Sequence, residues 1–160
     1  MAIALTLERY LDAKHVKYDV IEHAPTNSSL ETAAACRIPG DRLAKGVLLR
    51  DEVGYALAVL PASYHIRIAE LRRQFGDDVN LASEREIIDL FQDCELGAVP
   101  AMGECYGLDM VVDDSIEEQP EIYFEGGDHA TLVHMTSRQF ADLTAAARHG
   151  RFSSHHWCQI

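Results

Sequence analysis

The clearest hydrophobic pattern in the chain predicts a β-hairpin. Two apolar runs of strand length, residues 42–50 and 55–61, flank a short polar segment. Both runs are continuous rather than alternating, which is typical of strands covered on both faces. Lys45 stands in the first run. A cation beside a buried strand must snorkel, be paired, or await an anionic or carbonyl ligand. A structural lysine that protects a strand edge from aggregation is the alternative.

Helices and short strands alternate along the rest of the chain. Periodicity predicts helices at about residues 6–14 (with Thr6 as the cap), 30–36, 67–75, 83–91 and 136–150. Capping boxes formed by Ser28 with Glu31 and by Ser83 with Glu86 mark the starts of the second and fourth of these helices. Further strands are predicted at residues 16–21, 108–112, 121–124 and 129–135. Glycine and proline interrupt the apolar segment 96–103, which makes it a poor helix and a poor central strand. Without regular βαβ spacing, this mixture indicates an α+β fold with a mixed sheet.

Composition narrows the functional classes. The 160 residues fit one domain, for which we expect residues 1–150, followed by a fraying polar tail at 151–160. A formal charge of −12 argues against a general binder of nucleic acids or anionic membranes, so any nucleic-acid partner must be held locally. No signal peptide or membrane-spanning run is evident. Four cysteines without CxxC spacing indicate reduced thiols in a cytoplasmic protein.

Several smaller clusters have both a functional and a structural interpretation. Nucleotide-loop, GxSxG and HExxH motifs are absent from the sequence. Cys94 and Cys105 flank the 96–103 segment, but no paired base is evident, and small buried hydrophobic residues are the simpler interpretation. A basic helix face is formed by Arg67, Arg72 and Arg73, and it either contacts a nucleic-acid backbone or faces only solvent. A cluster in the tail is formed by His155, His156 and Cys158, and it either binds a metal ion or is disordered.

Three separated segments carry a family resemblance. They read GDRLAKGVLLR at residues 40–50, DCELGAVP at 93–100 and EGGDH at 125–129. In this order and approximate separation they resemble the YbaK-type family, which comprises the editing domain of prolyl-tRNA synthetase and its free-standing relatives. The resemblance runs from about residue 5 to about residue 143.

The resemblance implies a fold and an activity. The fold would be a mixed, barrel-like β-sheet surrounded by helices. The activity would be trans-editing in translation quality control, in which a deacylase hydrolyses the ester between a wrong amino acid and the 3′ end of a tRNA. The implied partners are the acceptor end of a mischarged tRNA and, in addition, an aminoacyl-tRNA synthetase. No metal, cofactor or membrane is implied.

The resemblance also assigns candidate residues by position. Lys45 matches the lysine of the editing pocket, and residues 97–101 occupy the place of the GxxxP loop. The loop here ends on Ala101, with the proline one position earlier at Pro100. His129 matches a polar position at the edge of the pocket. The candidates are then, for catalysis, Lys45, Gly97, Ala98 and Val99, and for substrate binding, Pro100, Ala101 and His129.

The chemistry of ester hydrolysis fits these residues. It requires a placed water, a positioned carbonyl and stabilisation of the developing oxyanion, for which backbone N–H groups near Gly97 are suited. Lys45 is expected to stay charged and to orient a phosphate or the acyl carbonyl rather than act as a base. The apolar residues around the pocket favour a small amino acid.

Two other functions remain open at this point. A non-catalytic module of the same fold would bind an amino-acid-like ligand or a protein partner, and the missing proline at Ala101 favours it. Hydrolysis of another small ester or thioester would suit the charge of −12. Structural alternatives also remain for the loop, as a plain turn, and for His129, as a solvated histidine.

Overall fold

Within the part of the chain that the structure describes, the fold combines five α-helices with ten short strands. The computed structural model describes residues 3–156. Within them the α-helices are α1 Leu5–Ala13, α2 Ser29–Cys36, α3 Ile68–Phe75, α4 Glu84–Leu90 and α5 Ser137–Leu143. The strands are β1 Asp19–Glu22, β2 Leu43–Arg50, β3 Tyr55–Pro61, β4 Tyr64–Ile66, β5 Asn80–Leu81, β6 Asp109–Asp113, β7 Glu121–Glu125, β8 Thr131–Thr136, β9 Arg148–Gly150 and β10 Ser153–His155.

Most strands join one mixed sheet with the order β1-β8-β7-β2-β3-β6-β9, and β5 pairs with the end of β2. The β2–β7, β3–β6 and β6–β9 pairs are parallel, and the other pairs are antiparallel. Strands β4 and β10 form a separate antiparallel pair. The predicted α+β class with a mixed sheet is confirmed. Among the described residues no pairing joins β1 to β9, so barrel-like closure is not confirmed.

The hairpin β2–β3 is the centre of the sheet and is covered on both faces. Leu48 and Leu57 pack into the largest hydrophobic cluster, whereas their strand neighbours Leu49 and Ala58 pack into a second cluster. Successive side chains of a strand point to opposite faces, so both faces of these strands are buried. The continuous apolar runs predicted this arrangement.

Local signals placed most helices correctly, with small shifts at their ends. The predicted capping box of Ser83 and Glu86 opens α4, and a second box of Thr136 and Gln139 opens α5. Thr6 does not cap α1, because the N-cap is Ala4 and Thr6 lies inside the helix, where its N–H donates to Asp93.

Two expectations about the C-terminal region are corrected. Helix α5 ends at Leu143 rather than near Gly150, and residues 148–150 instead pair with β6 as strand β9. Residues 151–156 do not fray. Phe152 is fully buried, and β10 pairs with β4. Residues 157–160 of the expected tail lie outside the described residues.

No helix among the described residues is long and apolar enough to cross a bilayer.

Phe152→Ala should destabilise the protein by about 3–5 kcal/mol, because it removes a fully buried aromatic ring. The ring packs edge to face against Phe75 with 6.3 Å between centroids, and the Phe152 N–H donates to Asp113 at 2.9 Å. Urea unfolding measures the change. Val53→Ala, at a side chain 97% exposed, is the control and should be nearly neutral. Equal stability of the two variants would mean that the C-terminal segment does not contribute to the fold.

Candidate functional site

Lys45 is held by backbone carbonyl groups. It lies on β2 opposite Leu60 of β3, so the turn that follows β3 is beside it. Its Nζ donates to the carbonyl oxygen of Tyr64 at 2.8 Å and to that of Ala62 at 3.4 Å. No described carboxylate forms a salt bridge with it. Burial lowers the pKa of Lys45 below its usual value. An ammonium group has three N–H donors, so one remains for a ligand.

A cavity of about 300 Å³ opens beside Lys45. It is bordered by the start of α2, by the hairpin and its following turn, by the 96–103 segment and by the C-terminal segment. The lining residues are Asn27, Ser28, Ser29, Leu30, Lys45, Gly46, Ala62, Gly97 and His156. Ser28 caps α2 by accepting from the N–H of Glu31 at 3.2 Å. The positive end of a helix and an ammonium group therefore border the same cavity, which favours oxygen-rich or anionic ligands.

Gly97 brings the 96–103 segment to this cavity. Its φ of +86° is a left-handed conformation that glycine adopts without strain. A Cβ at this position would lie 3.1 Å from Cε1 of His129, so a side chain would also crowd the imidazole. The N–H of Ala98 donates to Glu95 O at 3.0 Å. The N–H groups of Gly97 and Val99 donate to no other described residue.

The other loop candidates lie away from the cavity surface. Ala98, Pro100 and Ala101 are buried, and Ala101 packs in the largest hydrophobic cluster. Val99 is half-buried against that cluster. Of the seven residues predicted from sequence, the structure brings only Lys45 and Gly97 to the lining of the cavity.

The His129 side chain forms a hydrogen bond with the residue that precedes Gly97. Its Nε2–H donates to the carbonyl oxygen of Leu96 at 2.6 Å, and its own backbone has φ of +61°. Its carbonyl oxygen accepts from the N–H of Thr26 at 3.2 Å, just before α2. His129 therefore contacts two walls of the cavity without lining it.

The remaining chemical candidates have ordinary structural roles. Burial raises the pKa of the Cys94 and Cys105 thiols to about 12 each, which disfavours a thiolate nucleophile. Arg72 donates to Val79 O and to Asn80, and Arg73 pairs with Glu70 at 2.7 Å. No cluster suited to a metal ion occurs within residues 3–156, and Cys158 lies outside them.

Sequence reasoning missed part of the site. The capping box it predicted at Ser28 marked the start of α2 but gave no reason to place it beside Lys45. His156 carried no signal, because its position depends on the β4–β10 pair and on its N–H, which donates to Ser63 O at 3.0 Å.

Two other cavities are at least as large. One of about 340 Å³ lies between β6 and the segment before β9, and one of about 430 Å³ lies between Lys14 and Leu143. Neither contains Gly97 or any other residue of the three sequence segments. The residues that line the cavity beside Lys45, and not its volume, make it the candidate functional site. We call it the Lys45 cavity.

Solved structures share this fold. A proposed trans-editing enzyme for prolyl-tRNA synthetase matches with a TM-score of 0.80 and 21% identity, covering 94% of this chain and 96% of that chain. A hypothetical protein matches with a TM-score of 0.81 and 22% identity, covering 93% and 99%. A scaffold protein used for computational epitope grafting matches with a TM-score of 0.81 and 20% identity, covering 94% and 96%. No curated protein matches this chain.

The amino-acid sequence itself also matches the model of a known protein family. The model of the aminoacyl-tRNA editing domain matches residues 23–143, which include Lys45, the Gly97 loop and His129. This span is well over half of the chain and begins just before α2. The chain therefore belongs to the aminoacyl-tRNA editing domain family.

Proposed function

We propose that this protein is a free-standing deacylase that hydrolyses mischarged aminoacyl-tRNA, with a small amino acid as the acyl group. The observation that carries the proposal is the meeting of Lys45 and Gly97 at one cavity in a chain of the editing-domain family. An aminoacyl ester is already activated toward hydrolysis. A site that positions the substrate and stabilises the developing charge is therefore sufficient for catalysis.

Lys45 is proposed to orient the substrate through its remaining N–H donor. The carbonyl oxygens of Ala62 and Tyr64 fix the ammonium group, so its free donor has a defined direction. An oxygen of the terminal adenosine or the acyl carbonyl would accept this hydrogen bond. Burial lowers the pKa of Lys45, but the two carbonyl oxygens favour the charged form, which suits an orienting cation rather than a base.

The Gly97 loop is proposed to stabilise the oxyanion of the tetrahedral intermediate. Gly97 is the loop residue that lines the cavity, and its N–H donates to no described residue, whereas the N–H of Ala98 is already bonded to Glu95. Backbone donors are fixed before reaction, so they need no reorganisation as charge develops. A water molecule, helped by the neighbouring ribose hydroxyl of the substrate, would attack the ester carbon, and the ribose oxygen would leave.

The size of the Lys45 cavity supports a small acyl group. Its volume of about 300 Å³ is at the lower end for ligand sites. Apolar pockets discriminate poorly between side chains that differ by one methylene, which is why a second hydrolytic site is useful in translation. We further propose that the protein acts in the cytoplasm, with an aminoacyl-tRNA synthetase as a further partner.

Lys45→Ala should reduce deacylation by about 100-fold or more, because the directed cation is lost. The assay measures release of amino acid from alanyl, seryl and cysteinyl esters of mischarged tRNAs, after subtraction of spontaneous hydrolysis. A phenylalanyl ester tests the size limit and should be retained. Lys17→Ala, which removes an exposed lysine, is the charge-matched control.

The outcomes separate the candidate functions. Release by wild type and Lys17→Ala but not by Lys45→Ala supports editing. Equal release by Lys45→Ala would contradict the role of Lys45 while leaving the activity in place. Binding of an aminoacyl ligand without any release would favour the non-catalytic module instead.

Gly97→Ala should lower turnover about 10²–10³-fold, the loss typical of one oxyanion donor, because the added Cβ displaces the loop or the His129 ring. Gly107→Ala is the matched control. Gly107 also has a positive φ, of +74°, but a Cβ there would meet nothing within 4 Å. Each substitution should destabilise the fold by about 1–2 kcal/mol. Similar turnover in both variants would exclude a role for the loop in the reaction.

A further inference from the structure

The two carbonyl groups that hold Lys45 flank a single residue, Ser63. Ala62 and Tyr64 supply the acceptors of the Lys45 ammonium group, at 3.4 and 2.8 Å. Ser63 lies between them in the turn that follows β3, and it is only 9% exposed. The direction in which the two carbonyl groups point, and with it the position of the ammonium group, therefore depends on how the backbone at Ser63 is held.

Hydrogen bonds to three other segments hold this turn. The N–H of Ala62 donates to the carbonyl oxygen of Leu43 at 2.7 Å, which continues the pairing of β2 with β3. The carbonyl oxygen of Ser63 accepts from the N–H of His156 at 3.0 Å. The third bond is formed by side chains, because the Ser63 hydroxyl donates to Oδ1 of Asp41. A substitution can therefore remove this third bond and leave the two backbone bonds in place.

Asp41 reaches Ser63 because the residue before it has no side chain. Asp41 lies in a short 3-10 helix, Gly40–Arg42, directly before β2. A Cβ at Gly40 would lie 2.9 Å from Cβ of Ser63, which is closer than two carbon atoms can pack. A larger residue at this position would push the 3-10 helix away from the turn. Glycine at position 40 therefore allows the approach that the Asp41 hydrogen bond needs.

The same carboxyl oxygen of Asp41 also binds strand β10. Nε2 of His155 lies 3.1 Å from Oδ1 of Asp41. A carboxylate oxygen only accepts hydrogen bonds, so the Ser63 hydroxyl and the His155 Nε2–H both donate to it. The His155 imidazole also packs edge to face against the Tyr64 ring, with 5.1 Å between centroids. One oxygen atom therefore joins the 3-10 helix before β2, the turn after β3 and the strand β10.

We propose that Asp41 is a positioning residue for the deacylation reaction. Through Ser63 it fixes the turn whose carbonyl groups hold Lys45, and it thereby sets the direction of the remaining N–H donor of that lysine. An ammonium group on a flexible four-carbon side chain gains a defined direction only from its acceptors. Asp41 does not line the Lys45 cavity, so it acts on the substrate through Lys45 and not by contact. Its effect on turnover rests on the proposed function, whereas its effect on Lys45 does not.

The first experiment observes the Lys45 side chain by NMR in the free protein and needs no tRNA. The chain has only three lysines, and the other two, Lys14 and Lys17, are exposed, so their Cε and Nζ signals can be assigned by substitution. In Asp41→Ala and in Ser63→Ala the Lys45 signals should move toward those of the exposed lysines, because the carbonyl acceptors are no longer held in place. An unchanged Lys45 signal in both variants would overturn the proposal.

Asp41→Asn distinguishes positioning from charge. The amide keeps Oδ1 as an acceptor, and no described group donates to Oδ2 of Asp41, so this variant retains both hydrogen bonds and loses only the negative charge. Its Lys45 signals should stay close to those of wild type. Signals in Asp41→Asn that match those of Asp41→Ala would mean that the charge, and not the hydrogen bond, acts on Lys45, and would overturn the proposal.

Asp51→Ala is the matched control, because Asp51 holds the turn at the other end of the same hairpin. Its Oδ1 accepts from the N–H groups of Val53 and Gly54 at 2.8 and 2.9 Å. This variant should leave the Lys45 signals and kcat unchanged, and a shift of the Lys45 signals here would reduce the Asp41 effect to general loosening of the hairpin. Gly40→Ala keeps the carboxylate but displaces it from the turn. It should reproduce the Lys45 shift, so the test does not depend on one variant folding.

The second experiment measures kcat and KM for deacylation in the same variants. Asp41→Ala should lower kcat by about 10–100-fold with a smaller change in KM, as expected when a group that orients the substrate is misplaced. Asp41→Asn should retain most of the wild-type kcat. Shifted Lys45 signals in a protein that releases no amino acid would refute the proposed function and support the link from Asp41 to Lys45. Deacylation by Asp41→Ala at the wild-type kcat would refute the positioning role and leave the function in place.

Discussion

A half-buried ammonium group needs oxygen acceptors, and the fold is arranged to supply them to Lys45. The charge would be costly to bury without hydrogen bonds. Its acceptors are the carbonyl group of Ala62, in the turn between β3 and β4, and that of Tyr64, at the start of β4. The antiparallel register of β2 and β3 brings that turn alongside Lys45. Neutral acceptors hold the cation without cancelling its charge, so the ammonium group keeps its positive charge and can attract an oxygen atom of any ligand in the cavity. A carboxylate partner would have held it more strongly and left less positive potential in the cavity.

The walls around Lys45 have different physical origins. The start of α2 is set by a local signal, the cap formed by Ser28. The Gly97 loop has no regular structure, and contacts distant in sequence hold it against the 127–129 turn. Glycine at this position meets two demands at once, since its φ is positive and the imidazole of His129 occupies the space of a side chain. The wall at the start of α2 is therefore determined by residues that are neighbours in sequence, whereas the wall formed by the Gly97 loop depends on the completed sheet.

This difference explains how much the sequence could predict. The hairpin β2–β3 and the opening of α4 were predicted because apolar runs and capping boxes act over a few residues. Strands β9 and β10 were not, since both are short and polar and form only by pairing with β6 and β4. In the site, Lys45 and the Gly97 loop could be found through the family resemblance. The contribution of His156 could not, because it depends on which distant segments meet in space.

The pairing of β4 with β10 has a consequence for synthesis on the ribosome. Tyr64, whose carbonyl oxygen binds Lys45, is the residue opposite His155 in that pair. The Lys45 cavity therefore gains its last wall only after residue 156 has emerged from the exit tunnel, long after Lys45 itself. A nascent chain that already contains the editing-family segments would still have an incomplete pocket, because the β10 segment that completes it is made later than all three of them.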